Sequence, residues 1–510
     1  MSANPLPGVA GQWTMQVPDP GVAISFSAIL SALSFAIDLT EGAVPGHAVR
    51  TCVLGMRIGE AFGLSPVEAR SLYHALLLKD VGCSNNAARM CQIVGGDDRV
   101  FKTGAKLQDW TRPHRPNWNT LKLLWTGVLP NSSAWSRMRR IAEIAATQHR
   151  NNQEMITLRC ERGADIANKL GLSKATGEAI HALDEHWDGS GYPRGLKGEA
   201  IPLLARILAV AQHLDVFASE RNPKLAMKVL RERRGRWFDP QLVSLVGDLD
   251  DTGELWEGCL PADGTERVHE LVLELDPDRG SRKGRGVGAN QIDRICEAFA
   301  DVVDAKSPFT YRHSLGVADV ATAMAQALNL APDRVLLVRR AALLHDLGKL
   351  AVPNTILDKA EDLTGDEWDT VVQHPRLTRE ILQRIEPFAE IAAIAGAHHE
   401  KLDGSGYPER LTAATLTLEA RIVAVADTYQ ALAEERPYRK ALSHMDAMTI
   451  LRRLAPRKLD PHCVAAVALV RDPRTLWTPT VAMPALAAAE ILRKDPIAEM
   501  LPQWEPALRA

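Results

Sequence analysis

The sequence predicts an all-helical protein built from two tandem copies of one helical bundle, and three observations lead there. Segments such as 318–328, 334–347 and 446–454 repeat apolar residues at three- and four-residue spacing and are rich in Ala and Leu, whereas alternating β-hairpin patterns are scarce. The string DGSGYP occurs at Asp188 to Pro193 and again at Asp403 to Pro408, a shift of 215 residues. A length of 510 residues exceeds what one hydrophobic core usually organises.

The repeat extends beyond its most visible string. Ala205 to Ala211 (ARILAVA) echoes Ala420 to Ala426 (ARIVAVA) at the same shift, and His47 follows Asp38 by nine residues, as His313 follows Asp304. The duplication therefore covers whole domains. From Asp80 to Asp188 is 108 residues, against 57 from Asp346 to Asp403, so the first copy carries 51 extra residues. They fall near 84–157, a stretch with four tryptophans and several basic residues. That composition suits an amphipathic helical insertion, with a nucleic-acid patch as the alternative.

In chain order, residues 1–20, with four prolines, read as a loose N-terminal arm, and 21–250 as the first copy with its insertion. Residues 251–288 read as a linker, because 276–290 (DPDRGSRKGRGVGAN) is rich in Gly and charge and poor in apolar side chains. Residues 289–482 form the second copy and 483–510 a C-terminal helical tail.

Composition excludes several classes of function. With 46% hydrophobic and 24% charged residues the chain is an ordinary globular protein, and a net charge of −3 argues against a strongly basic DNA binder. Seven cysteines without a CxxC pair fit reduced thiols in the cytoplasm and exclude a disulfide framework. The uncharged stretch from Gly21 to Ile37 contains four serines and has no preceding basic flank, so it reads as a buried helix; no membrane partner is expected.

The chemistry concentrates in the second copy. In Ala341 to Lys349 (AALLHDLGK) an imidazole and a carboxylate, His345 and Asp346, sit together inside an apolar helix, where such groups are costly unless paired or bound to a metal. Alone, that pair reads better as a satisfied core His–Asp hydrogen bond. His398 and His399 again interrupt small apolar residues just before DGSGYP, His374 precedes them in VVQHP, and Asp427 follows in IVAVADT. So many interruptions, all His or Asp, point to a shared purpose. Imidazole and carboxylate together suit divalent iron or manganese. Two such ions about 3.5 to 4 Å apart can activate water for in-line attack on phosphorus.

The ordered set His313, His345-Asp346 with Lys349, His374, His398-His399 in HHEKLDGSGYP, and Asp427 resembles the HD-GYP phosphodiesterases of the HD superfamily over about 190 residues. The resemblance implies two HD-type helical bundles, a centre of two iron or manganese ions, and cyclic di-GMP as substrate, opened to the linear dinucleotide and possibly on to GMP. Carried over by residue, Asp346 would bridge the metals, with His313, His345, His374, His398, His399 and Asp427 completing the ligand set. Lys349 would stabilise charge on a phosphate oxygen, Tyr407 would stack on a guanine, and Arg436 and Arg439 would hold the phosphates; otherwise these three cations are ordinary surface charges. Phe309 stands where trinuclear members place a further glutamate, which favours two metals, and Gln430 where many members are acidic. Another cyclic dinucleotide or a guanosine polyphosphate, or a weakly catalytic dinucleotide receptor, are the alternative functions.

The first copy has lost most of this set. The shift puts Arg159 at the place of His374, Leu183 and Asp184 at the His398-His399 pair, and Gln212 at Asp427, while the HD dipeptide becomes Lys79-Asp80 and Cys83 stands for Lys349. A lysine ammonium is expected to take a metal's place beside Asp80. The first copy is thus expected to keep the fold without catalysis, pairing with the active copy or with a second chain, or sensing a nucleotide through its DGSGYP loop.

Overall fold

Ser25 accepts the backbone N–H of Ala28 and starts the helix Phe26–Glu41, which Gly42 ends in the left-handed conformation (φ 62°). The expected helix from Gly21 to Ile37 is thus found, shifted toward the C-terminus. In the computed structural model the described residues are 25–107, 109, 118–130, 132–279, 287–436 and 439–470. The expected arm 1–20 and tail 483–510 lie outside them. Helices follow one another throughout, and no strand occurs among the described residues, only isolated bridges such as Asp403 with Thr412. No helix among them is long and apolar enough to cross a membrane.

Helix starts are written locally. Ser65 and Glu68 form a capping box ahead of Pro66–Leu78, and Thr364 and Glu367 form another ahead of Gly365–Val371. The extra residues of the first copy build the helices Ala87–Val94, Asp98–Lys106 and Trp118–Gly127 and lengthen Ala134–Lys169 to 36 residues.

One buried apolar cluster runs through both copies. Helix Phe26–Glu41 of the first copy packs on the 3-10 turn Leu347–Ala351 and on helix His374–Gln383 of the second. Its Ile29, Leu30, Leu33 and Ile37 are buried, each such side chain contributing roughly 1.5–3 kcal/mol. Polar contacts flank this seam: Asp98 accepts the backbone N–H of Asn354 at 3.3 Å, and Arg99 donates to the Ala351 carbonyl.

The stretch 251–288 is not simply the expected linker. It contains helix Thr265–Glu274, whose Val268 and Val272 are buried against the first copy and whose Val272 carbonyl accepts the Tyr73 hydroxyl at 3.0 Å. Apolar side chains at 268, 271, 272 and 275 mark the buried face of this helix, a period the sequence displays despite the charges between them. Residues 280–286 of the same stretch lie outside the described set.

Candidate metal centre

The second copy brings seven of the expected residues to one place from five separate elements. His313 opens helix His313–Ala327, and His345 ends Pro332–Leu344. The expected longer helix stops at Leu344 because the chain tightens into the 3-10 turn Leu347–Ala351, which leaves His345 and Asp346 side by side at the break. His374 opens His374–Gln383, His398 and His399 follow Ala389–Ala395, and Asp427 lies within Leu418–Ala433. All seven are buried.

Asp346 divides them into two groups. Its Oδ2 lies 3.3 Å from His345 Nε2 and 3.8 Å from His313 Nε2, while its Oδ1 lies 3.4 Å from His374 Nε2 and 3.7 Å from His398 Nε2. Asp427 Oδ1 completes the first group, 3.2 Å from His313 and 3.7 Å from His345. His399 completes the second: in each of the triads His313–His345–Asp427 and His374–His398–His399 the potential ligand atoms lie within 4.8 Å of one another.

The rings are aimed. Nδ1 of His345, His374 and His398 bonds the carbonyls of Ala342, Val371 and Ala395 at 2.6–2.7 Å, which leaves Nε2 to face the cluster. His313 instead bonds the Glu434 carboxylate through Nδ1 at 2.8 Å. His313 Nε2, His345 Nε2 and Asp346 Oδ1 are buried with no hydrogen-bond partner, the condition a divalent cation would relieve. The residues therefore fit a metal pair.

Electrostatics agree with the geometry. Burial pushes the imidazoles of His398 and His399 well below their usual range and His374 to about 4, keeping them in the neutral form that binds metal. Burial alone would raise Asp346, but His345 and Lys349 hold it well below the usual carboxylate range. Burial alone would lower His345, yet Asp346 and Asp427 lift it to about 10.

Around this centre Lys349 Nζ bonds Asp346 Oδ2 at 2.6 Å, rather than lying free on the surface. The Tyr407 ring is 4.9 Å from that of His399, and Trp368, which the sequence did not single out, meets Tyr407 edge-on at 5.9 Å. Arg436 lies 3.6 Å from Glu434. Arg439 departs from expectation: its guanidinium donates to the carbonyls of Ala431, Leu432, Glu434 and Lys440, clamping the loop after helix Leu418–Ala433. Its Nη1 and Nη2 thus face backbone carbonyls.

The DGSGYP loop owes its form to glycine. Gly404 has φ 74°, and a Cβ on Gly406 would meet the His399 carbonyl oxygen at 2.6 Å. Glu400 fixes the loop by accepting the N–H groups of Glu409 and Leu411 at 2.7 and 2.8 Å. In the first copy Glu185 accepts those of Arg194 and Leu196, both at 2.8 Å, and a Cβ on Gly191 would meet His186 N at 2.2 Å. In both copies the loop glycines and the glutamate behind them thus support the loop's fold.

In that copy fixed cations stand where the metal groups would be. Lys79 bonds both Asp80 and His47 Nε2, the latter at 2.8 Å, and Arg159 bonds Asp184 at the place of the His374–His399 group. Glu41, Asp80 and Cys83 also cluster, but Lys106 lies 2.7 Å from Glu41. These ammonium and guanidinium groups pair with the buried carboxylates of the first copy.

The family model described as "HD domain" matches residues 114–242 and 297–463. The chain is 39% identical over 445 residues, 86% of its length and 93% of the other's, to the 3'3'-cGAMP-specific phosphodiesterase 3 of Vibrio cholerae. It is 43% identical over 150 residues, 29% of its length and 40% of the other's, to the cyclic di-GMP phosphodiesterase response regulator RpfG of Xanthomonas campestris. The crystal structure of a cyclic GMP-AMP specific phosphodiesterase of V. cholerae superposes with a TM-score of 0.60 at 34% identity, covering 90% of this chain and 99% of that one.

Proposed function

Because this chain belongs to the HD-domain family, as a phosphodiesterase of the HD-GYP type, we propose that its second copy hydrolyses a cyclic dinucleotide, with 3'3'-cGAMP as the favoured substrate. The observation that carries the catalytic part is the split of Asp346, one oxygen toward His313 and His345 and the other toward His374 and His398. The substrate preference rests on the relative that spans both copies, which is named for that dinucleotide. Cyclic di-GMP is the second reading, favoured by relatives named for it that each match 29% of this chain.

His313, His345 and Asp427 would hold one divalent ion and His374, His398 and His399 the other, with Asp346 between them. Iron or manganese suits these donors, and such a pair supplies Lewis acidity to the phosphate and a water more easily deprotonated. His374, His398 and His399, held neutral by burial, keep their lone pairs on the cluster, and buried Asp346 and Asp427 stay ionised there. Lys349, held by Asp346, would offer its remaining N–H donors to a phosphate oxygen as negative charge grows on it. Tyr407 and Trp368 would flank a purine, and Arg436 would meet a phosphate at the rim.

The test is a panel of 3'3'-cGAMP, cyclic di-GMP and guanosine tetraphosphate, offered to protein purified without oxygen and loaded with iron or manganese, with products separated by chromatography. The expected result is linear dinucleotide, with kcat/KM for 3'3'-cGAMP at least about tenfold above cyclic di-GMP, a margin one base-reading hydrogen bond can supply. A reversed preference selects the second reading, and inert dinucleotides refute catalysis.

A further inference from the structure

We infer that Glu434 is the positioning residue for the metal-binding face of His313, in a role that the first copy assigns to a different position of the same helix. His313 Nδ1 lies 2.8 Å from Glu434 Oε2, so the carboxylate accepts the Nδ1–H and leaves the Nε2 lone pair facing Asp346 and Asp427.

The duplication supplies the comparison. The 215-residue shift that superimposes the two DGSGYP strings pairs Gln430 with Asp215 and Glu434 with Ser219. In the first copy the carboxylate sits at the earlier position: Asp215 Oδ2 is 2.6 Å from His47 Nδ1, and Ser219 donates to Asp215 Oδ1 at 3.0 Å. In the second copy the carboxylate has moved one helical turn later, and Gln430 donates to Glu434 Oε1 at 2.7 Å. The acidic and polar partners have exchanged places, yet each copy's first histidine keeps a carboxylate on Nδ1.

The surroundings changed with them. In the first copy Arg50 donates to Asp215 at 2.6 Å; counting from the aligned histidines, its counterpart is Gly316. A Cβ on Gly316 would come within 2.4 Å of the Gln430 side chain, so this glycine makes room for the amide that steadies Glu434. The non-acidic Gln430 therefore does not leave His313 unsupported.

The inference deepens the reading of the second copy as a metal-dependent enzyme, and its primary readout is metal retention, which does not depend on the substrate. Glu434→Ser should release metal to a graded series of chelators about 10- to 100-fold more readily, with kcat falling more than KM rises. The exchanged pair Gln430→Asp with Glu434→Ser, which rebuilds the first copy's arrangement, should recover both. Wild-type retention in Glu434→Ser, or an exchanged pair no better than the single variant while equally folded by circular dichroism, would overturn the assignment. If Glu434→Ser fails to fold, the nearly isosteric Glu434→Gln carries the test, with retention expected to fall about tenfold at an unchanged unfolding midpoint; unchanged retention there overturns it too. Wild-type protein that binds metal yet cleaves no dinucleotide would refute the proposed reaction and leave this role standing.

Discussion

Lys79 donates to His47 Nε2 across 2.8 Å, so the nitrogen whose counterpart in His313 faces a metal group is occupied by an ammonium in the first copy. Burial and the Lys79 charge push His47 down to about 4, which keeps the ring neutral and able to accept that bond. Removing the lysine would leave Asp80 buried with His47 at 3.6 Å and Lys106 at 3.9 Å as its remaining partners. Lys79→Met should therefore cost about 3 kcal/mol in urea unfolding, the low end for breaking a buried ion pair, while metal per chain stays unchanged. Metal loss in that variant would contradict a metal-free first copy.

Lys79→His tests the same point from the other side. Restoring the imidazole should not add a metal ion, because Arg159 and Asp184 still occupy the second group's place. Elemental analysis showing extra metal in Lys79→His would mean that the ion pairs do not define the first copy.

Asp346→Ala removes the one side chain that faces both histidine groups. It should abolish turnover and lower bound metal at both groups together, and His345→Ala should likewise abolish turnover and lower bound metal. Turnover persisting in Asp346→Ala would disprove the site.

The glutamates behind the two DGSGYP loops should behave differently in function and alike in folding. Glu400→Ala and Glu185→Ala each strand two loop N–H groups and should cost about 1–3 kcal/mol. Only Glu400→Ala should also reduce turnover, since its loop carries Tyr407 beside His399. Equal losses of turnover would deny the loop a part in the site.

Lys306 gives a pH dependence of definite sign. It is buried, donates to the Leu350 carbonyl at 2.6 Å, and burial lowers it from 10.5 to about 7, with Lys102 and Arg99 pushing the same way and Asp98 and Asp97 opposing. Between pH 7 and 10.5 the unfolded chain holds the proton that the folded chain has released, so this group makes stability rise with pH. The slope is at most about 1.4 kcal/mol per pH unit. Lys306→Met should flatten the stability–pH curve of wild type across that window. Parallel curves would show that Lys306 keeps its proton.

The ligand set was legible because His and Asp interrupt apolar helices at positions that burial makes expensive, and because the family resemblance orders them. Its support was harder to read. Nothing in the local sequence marks Glu434 as the partner of His313, since the two are 121 residues apart and the resemblance marks an acidic position only where Gln430 stands. Arg439 looked like a phosphate ligand because guanidinium suits phosphate; only the fold shows four carbonyls around it. Helix Thr265–Glu274 was missed as the charges around it outweighed a short apolar period, although that period was present.

The apolar seam between helix Phe26–Glu41 and the turn Leu347–Ala351 has an evolutionary corollary. A duplicated half that has lost its chemistry can ordinarily be discarded. Here excision would strip helix Phe26–Glu41 from the turn that presents Lys349 and holds buried Leu347 and Leu350. Selection for turnover in the second copy would thus reach across the gene to a helix of the first, and each half persists as a wall of the other.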